Sequence, residues 1–377
     1  MAADSPLQLL LVEDSAPDAA LIQANLKLGL GSIEVRRVER LSGAIAAVIE
    51  ATFDVVLLDL NLPDSSGVES FRKLSAECSG TPIVVLSGLE DSNTAVQAVG
   101  AGAEDYVQKG HYDAQTLARS VRFAIERCNR RSAEEELINI RTELAAAQHI
   151  QDSLYPKSSP VIAGVEIASG IRSAGMGCGD YYDFIPLQDG RHVIVVGDVS
   201  GHGMGPAMVM VETRASLRTL ADVGADVSVM LSVMNRMICT GAAEGMFVTL
   251  LMVVYDSTAR SFEYFNAGHP GWVISSAGSQ QLTTHQVPLG FEPKADYSVS
   301  DCVQLRPGDV LLMPTDGIQE SPGAAGLFGV QRMLDLVQNR CDRPAQEIVD
   351  TLIETAIQFS GSDTLKDDMT AIVIKAS

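Results

Sequence analysis

Apolar and polar positions follow two rhythms in the first third of the chain. Short apolar runs at Leu7–Val12, Ile33–Val38, Asp54–Leu58, Ile83–Leu86 and Tyr106–Gln108 read as strands. Between them, Ala16–Leu28, Leu41–Ala51, Val68–Ala76, Asp91–Gly100 and Ala114–Arg127 carry apolar residues at helical spacing. Five successive βα units predict a parallel sheet covered on both faces, and place this first domain at about residues 4–125.

The pattern then changes. Residues 126–157 contain no glycine, and their one proline, Pro156, stands near the end. Leu137, Ile140, Leu144, Ala147, Gln151 and Leu154 recur at three and four, which predicts a long helix continuing the preceding one up to Pro156. The run is too short to separate a homodimer seam from packing against a neighbouring domain.

Residues 158–377 form the third region, with strand-like runs at Val165–Ser169, His192–Val196, Thr249–Tyr255, Ser261–Asn266, Gly271–Ser275, Val310–Met313 and Thr370–Ile374. Helical stretches fall at Gly205–Leu220, Asp226–Cys239 and Ala345–Phe359, so layered α+β is expected.

Composition narrows the possibilities. The chain has 377 residues and a formal net charge of -21, which argues against nucleic acid as a partner. Its six cysteines form no CxxC pair, so neither a zinc site nor a disulfide frame is indicated. No apolar run approaches the ~18 residues of a membrane span. The opening MAADSPLQLL lacks a basic region and a secretory apolar core, so the cytoplasm is the expected location.

Candidate chemistry gathers at strand ends. In the first domain Glu13 and Asp14 follow the first strand, Asp59 ends the third, Ser87 the fourth and Lys109 the fifth. Ligands of open parallel sheets bind beyond those carboxyl ends. Three acids, a hydroxyl and a lysine at one edge suit phosphoryl transfer to an aspartate, with magnesium held by Glu13 and Asp14 and the phosphoryl oxygens by Ser87 and Lys109. This pattern resembles the response regulator receiver domain, a flavodoxin-like fold. The resemblance implies Asp59 as phosphoacceptor, Mg2+ held by Glu13, Asp14, Asp59 and the Asn61 carbonyl, Tyr106 as the switch residue, and a histidine kinase as partner. Glu13 departs from the commoner aspartate, and Gly110 follows Lys109 where proline is usual.

In the third region, VIVVGDVSGHG reads as a buried strand ending at Asp198 before a glycine loop. GCGDYYDF brings Asp180 and Asp183, LLMPTDG brings Asp316, and KDDMTAIVI brings Asp367 and Asp368. Acids converging from separate elements suit a pair of hard divalent ions. The ordered motifs GD, GDVSGHG, NAGH, TDG and DDMT resemble the SpoIIE-like branch of the metal-dependent, PPM-type protein phosphatases, from about Gly164 to the C-terminus. ELAAAQHIQDSLYP resembles the lead-in helix of that branch.

This second resemblance implies two antiparallel sheets sandwiched by helices and two Mn2+ or Mg2+ ions. Asp198 bridges the ions, the Val199 carbonyl ligates one, Asp180 binds on one side, and Asp316 with Asp367 (or Asp368) on the other. A water shared by the ions attacks phosphorus in line, with no covalent enzyme intermediate. Asp183 is expected at the surface or behind the ligands. His202 is open between leaving-group protonation and a structural bond, and His269 between the same two roles. Cys178 stands where the family usually has glycine. The implied whole is a response regulator with serine phosphatase output, its substrate a phosphoserine on an anti-sigma-factor antagonist of the STAS type. The alternative is a catalytically weak, phosphatase-like binding module that sequesters a partner under receiver control.

Overall fold

The computed structural model describes residues 6–78, 80–88, 92–242, 245–284, 286–298, 301–324, 326–362 and 364–377. The chain divides into two units, Met1–Arg141 and Thr142–Ser377.

The first unit runs β1 (Leu7–Val12), α1 (Ala16–Leu30), β2 (Ile33–Val38), α2 (Leu41–Glu50), β3 (Val55–Asp59), α3 (Val68–Glu77), β4 (Ile83–Ser87), α4 (Ser92–Gly100), β5 (Asp105–Gln108) and α5 (Ala114–Asp152). The strands pair in parallel in the order β2-β1-β3-β4-β5. Their apolar runs are unbroken because both faces are covered. Leu10, Val12, Val56 and Leu58 pack with Leu41, Ala44, Phe71 and Leu74. The alternate residues Leu9, Leu11, Val55 and Leu57 pack with Ile22, Leu26, Leu117 and Val121. The predicted start of α4 at Asp91 lies outside the described residues. Helix α5 stops at Asp152, before Pro156, because Ser153 and Leu154 already belong to a closing turn.

The second unit holds the last part of α5. It continues with β6 (Val165–Arg172), β7 (Tyr181–Pro186), β8 (His192–Val199), α6 (Met204–Asp222), α7 (Val227–Gly241), β9 (Val248–Asp256), β10 (Ser261–Ala267), β11 (Trp272–Ser275), β12 (Gly278–Gln281), β13 (Asp301–Gln304), β14 (Val310–Pro314), α8 (Asp316–Gln319), α9 (Val330–Gln338), α10 (Ala345–Ser360) and β15 (Met369–Ala376). One antiparallel sheet has the order β13-β10-β9-β8-β7, the other β12-β11-β14-β15-β6.

Four layers follow from alternation along each strand. Ile194, Val196, Leu251, Val253, Leu311, Met313, Ile372 and Ile374 meet between the two sheets. Val193, Val195, Met252 and Val254 point the other way, onto Met210 and Leu217 of α6 and Met230, Leu231 and Met234 of α7. Leu312 and Val373 pack on Met333 and Val337 of α9 and Ile348 and Leu352 of α10.

Several elements go beyond the predicted ones. Strand β7 contains Asp183, an unpromising residue for a buried strand, yet the side chain is wholly buried and neutralised by arginine. Strands β12 and β13 are short and polar, as strands at a sheet edge can be. Helix α9 buries Met333, Leu334 and Val337 at helical spacing.

Candidate active site

Two sites emerge, one in each unit. In the first, parallel pairing aligns the carboxyl ends of β1, β3, β4 and β5, so Glu13, Asp14, Asp59, Ser87 and Lys109 share an edge. Carboxylate oxygens of Glu13, Asp14 and Asp59 lie within 4.8 Å of one another. Lys109 Nζ stands 2.6 Å from Glu13 Oε2 and 2.7 Å from Asp59 Oδ2. Burial pulls the lysine pKa down, but its bonds to Asp59 and Glu13 outweigh that and raise it. Burial pushes Glu13 up by more than its bond to Lys109 pulls it down.

The Asn61 amide donates to Asp59 Oδ1 at 3.1 Å, which turns the chain back over the carboxylate. Ser87 Oγ is buried without a hydrogen-bond partner among the described residues, an atom suited to an incoming phosphoryl oxygen. Tyr106 is exposed. Arg37, which the sequence did not single out, donates to the carbonyls of Glu13 and Asp14 and fixes the loop that carries them. Three converging carboxylates form an oxygen donor set that fits Mg2+.

In the second unit, antiparallel pairing sets the start of one strand beside the end of its neighbour. Asp180, just before β7, therefore sits at the same sheet end as Asp198 of β8. Asp367, just before β15, likewise shares an end with Asp316, which follows β14. Thr315 and Thr370 join the two sheets there, donating to Asp180 Oδ2 at 2.8 and 2.6 Å.

Burial first, and then crowded like charges, set the electrostatics. Burial and then repulsion by Asp316, Asp367 and Asp368 push Asp198 up to about 8. Burial and repulsion by Asp198 push Asp180 well above the usual carboxylate range. Asp316 is raised by burial and by Glu320, and Asp367, which reaches solvent, by partial desolvation on its inner side with Asp316 and Asp368 adding to it. No three of these acids bring oxygens as close together as Glu13, Asp14 and Asp59 do. All-oxygen donors with unrelieved mutual repulsion suit divalent cations. A cleft of about 280 Å³ opens beside them, lined by Asp198, Thr249, His269, Asp316, Gln319 and Glu320.

Asp367 and Asp368 differ plainly. Asp368 is buried and spends both oxygens on backbone, Oδ1 on the Ala174 amide at 2.7 Å and Oδ2 on the Gly179 amide at 2.8 Å. Asp367 is exposed and, among the described residues, accepts only the Asp368 amide, at 2.9 Å. Asp183 is not at the surface. It lies buried in a bidentate pair with Arg218, both contacts 2.6 Å, and accepts from Tyr181 Oη at 3.1 Å.

His269 is also buried. Its Nε2 lies 3.0 Å from the Pro314 carbonyl and its Nδ1 2.8 Å from Thr249 Oγ1, and burial lowers its pKa to about 4. The neutral ring therefore donates from Nε2 and accepts at Nδ1, a brace between strands. His202 is exposed.

The loop before Asp180 has anchors the sequence did not reveal. Gln151 donates to the Cys178 carbonyl at 2.6 Å and accepts the Cys178 amide at 3.0 Å. Gln148 accepts the Gly177 amide, and Tyr155 Oη donates to the Asp180 carbonyl at 2.7 Å. Cys178 fits where glycine is usual because its φ is not positive and both its backbone groups are held. At Gly179 a Cβ would stand 3.1 Å from the Val199 carbonyl, so any larger residue there would press the two loops apart by a few tenths of an ångström. The one advance signal for the Gln151 contact was a polar residue in an otherwise apolar helical seam.

Each unit matches a known family. Residues 188–377 match the family model of stage II sporulation protein E, and residues 9–122 that of the response regulator receiver domain. The chain is 26% identical over 239 residues to phosphoserine phosphatase RsbU of Bacillus subtilis, covering 63% of this chain and 70% of that one. The solved RsbU and RsbW domains of Rv1364c from Mycobacterium tuberculosis match with a TM-score of 0.52 at 28% identity, over 59% of this chain and 63% of that one. The PP2C domain of SiaA from Pseudomonas aeruginosa matches in fold, with a TM-score of 0.57 at 22% identity, over 64% of this chain and 99% of that domain.

Proposed function

Because this chain belongs to the stage II sporulation protein E family and carries a response regulator receiver domain, we propose that it is a receiver-controlled, metal-dependent protein serine phosphatase. The observation that carries this reading is the meeting of Asp180, Asp198, Asp316 and Asp367 from separate strands at one end of the sandwich, with pKa values raised by burial and crowding.

Two divalent ions, Mn2+ or Mg2+, would be held by Asp180, Asp198, the Val199 carbonyl, Asp316 and Asp367. Asp367 is preferred to Asp368 because the latter has both oxygens bound to amides. When bound, such ions lower the pKa of a shared water and neutralise phosphoryl oxygens. The protein's own part is to fix these carboxylates before substrate arrives: Asp180 by two threonines, its loop by Asp368 and Gln151, and the neighbouring strands by His269.

In the receiver, Asp59 accepts the phosphoryl group from a histidine kinase through attack by a carboxylate oxygen on phosphorus, the kinase imidazole leaving. Glu13, Asp14, Asp59 and the Asn61 carbonyl would hold Mg2+, while Ser87 and Lys109 would bind phosphoryl oxygens and Tyr106 would report the change. The substrate of the phosphatase is a phosphoserine protein, an anti-sigma-factor antagonist of the STAS type. The phosphoserine part of this reading is supported by RsbU, named a phosphoserine phosphatase.

The test is hydrolysis of p-nitrophenyl phosphate and of a phosphoserine protein by the full chain, with Mn2+, with Mg2+ and with chelator. Activity independent of added metal, or absent with both ions, overturns the reading.

A further inference from the structure

Asp180 is the most enclosed of the candidate ligands, and its surroundings are unequal. Oδ2 receives two hydroxyl bonds, from Thr315 at 2.8 Å and from Thr370 at 2.6 Å, while no hydrogen bond among the described residues reaches Oδ1. Both threonines are themselves fully buried.

The Thr315 hydroxyl is pinned as a donor. The Thr370 amide donates to Thr315 Oγ1 at 2.9 Å, which occupies a lone pair there and turns the Thr315 proton outward to Asp180. The Thr315 amide in turn donates to the Thr370 carbonyl at 2.9 Å. Backbone pairing between the end of β14 and the start of β15 thus places both side-chain donors, and sets the direction of the Thr315 one, toward a residue 135 and 190 positions away. A carboxylate with two donors on one oxygen has its plane and rotamer fixed, and its other oxygen is left for a further ligand.

On the reading of the site given above, we propose that Thr315 and Thr370 are positioning residues that hold Asp180 with Oδ1 presented to a divalent cation. They act through Asp180 and touch neither substrate nor ion. Their effect is on affinity for the metal, because a pre-fixed ligand loses less freedom when the ion arrives. Partners of this kind are typically worth about 10- to 100-fold in metal affinity.

Thr370→Val is the sharper variant, since Thr315→Val would also strip the Thr370 amide of its acceptor. The experiment is calorimetric titration of the full metal-free chain with Mn2+. The Asp198→Ala chain, which retains the receiver acids, supplies the baseline for binding elsewhere. Thr370→Val is expected to bind Mn2+ at the phosphatase site about 10- to 100-fold more weakly, Thr370→Ser to bind as wild type does, and activity in Thr370→Val to recover as Mn2+ is raised. Thr370→Ala, which cannot overpack the site, should weaken binding in the same way and serves if the valine variant does not fold. Wild-type affinity in both the valine and the alanine variants overturns the proposal, as does failure of the serine variant to restore affinity. Identical titrations of wild type and Asp198→Ala would instead overturn the metal site itself, and with it the phosphatase reading.

Discussion

Asp368 Oδ2 accepts the Gly179 amide at 2.8 Å, across 189 residues of sequence. The bond ties the start of the last strand to the loop that presents Asp180. Its neighbour Asp367 makes no such tie and faces solvent.

The two aspartates should therefore fail differently. Asp368→Asn leaves a buried amide without its acceptor, a loss of about 1–3 kcal/mol, and should lower the melting temperature of the metal-free chain. Asp367→Asn should leave that temperature nearly unchanged and weaken activation by Mn2+. Thermal melts and Mn2+ activation curves of both variants check this. The opposite assignment of the two effects would refute it.

Gly317 is a second rigid point. A Cβ there would stand 2.0 Å from the Asp368 carbonyl oxygen. Gly317→Ala must push α8, which begins at Asp316, away from the last strand. Phosphatase activity should fall by at least ~100-fold, comparable to Asp198→Ala or Asp316→Ala, since each disturbs the proposed metal centre. Near-wild-type turnover in Gly317→Ala would show that Asp316 need not sit where it does.

Stability should depend on pH in a way that metal reverses. The Asp198 pKa is raised from 3.8 to about 8 on folding, so the folded chain binds more protons than the unfolded chain between those values. Stability of the metal-free protein is then lost as pH rises toward 8. His269, lowered from 6.5 to about 4, acts in the opposite sense, but only below 6.5. From pH 6.5 to 8 the carboxylate effect stands alone, and the melting temperature in chelator should decline. Bound Mn2+ should abolish the decline, with the largest metal-induced gain near pH 8. A flat or rising melting temperature in chelator would contradict this.

Asp59→Asn should abolish formation of the acyl phosphate from acetyl phosphate, read by phosphate-affinity electrophoresis. Labelling at wild-type stoichiometry would exclude Asp59 as acceptor.

Phosphorylation of Asp59 should change phosphatase rate by ~5- to 150-fold, the usual span of an allosteric coupling, with activation the expected sign. Helix α5 carries residues of both units, and its last turns hold Gln148 and Gln151 against the Asp180 loop. A Gly-Gly insertion after Leu144 should break helix continuity while leaving that grip intact. It should uncouple the rate from phosphorylation without abolishing either activity. Rates on one phosphoserine substrate, with and without phosphorylation, decide it: equal rates in wild type remove the receiver's control, and full regulation in the insertion variant moves the signal off the helix.

Much of this protein was legible in one dimension. Strand-length apolar runs such as VVLL and VIVV require burial on both faces, and that alone predicts sheets covered by further layers. Acids at the ends of those runs, Asp59 and Asp198 above all, mark where ligands gather, because strand ends are where backbone stops consuming the space around a side chain. What remained hidden were relations between distant segments. Sequence gave Asp367 and Asp368 identical chemistry, and only the fold put the Ala174 and Gly179 amides against one of them. Asp183 looked like a surface residue until Arg218, on the helix above, was brought down onto it. The hydroxyls of Thr315 and Thr370 meet Asp180 only when two sheets close on each other. Local pattern reports which side chains need burial or solvent. Which donor finds which acceptor is set by packing between elements, and no periodicity along the chain encodes that.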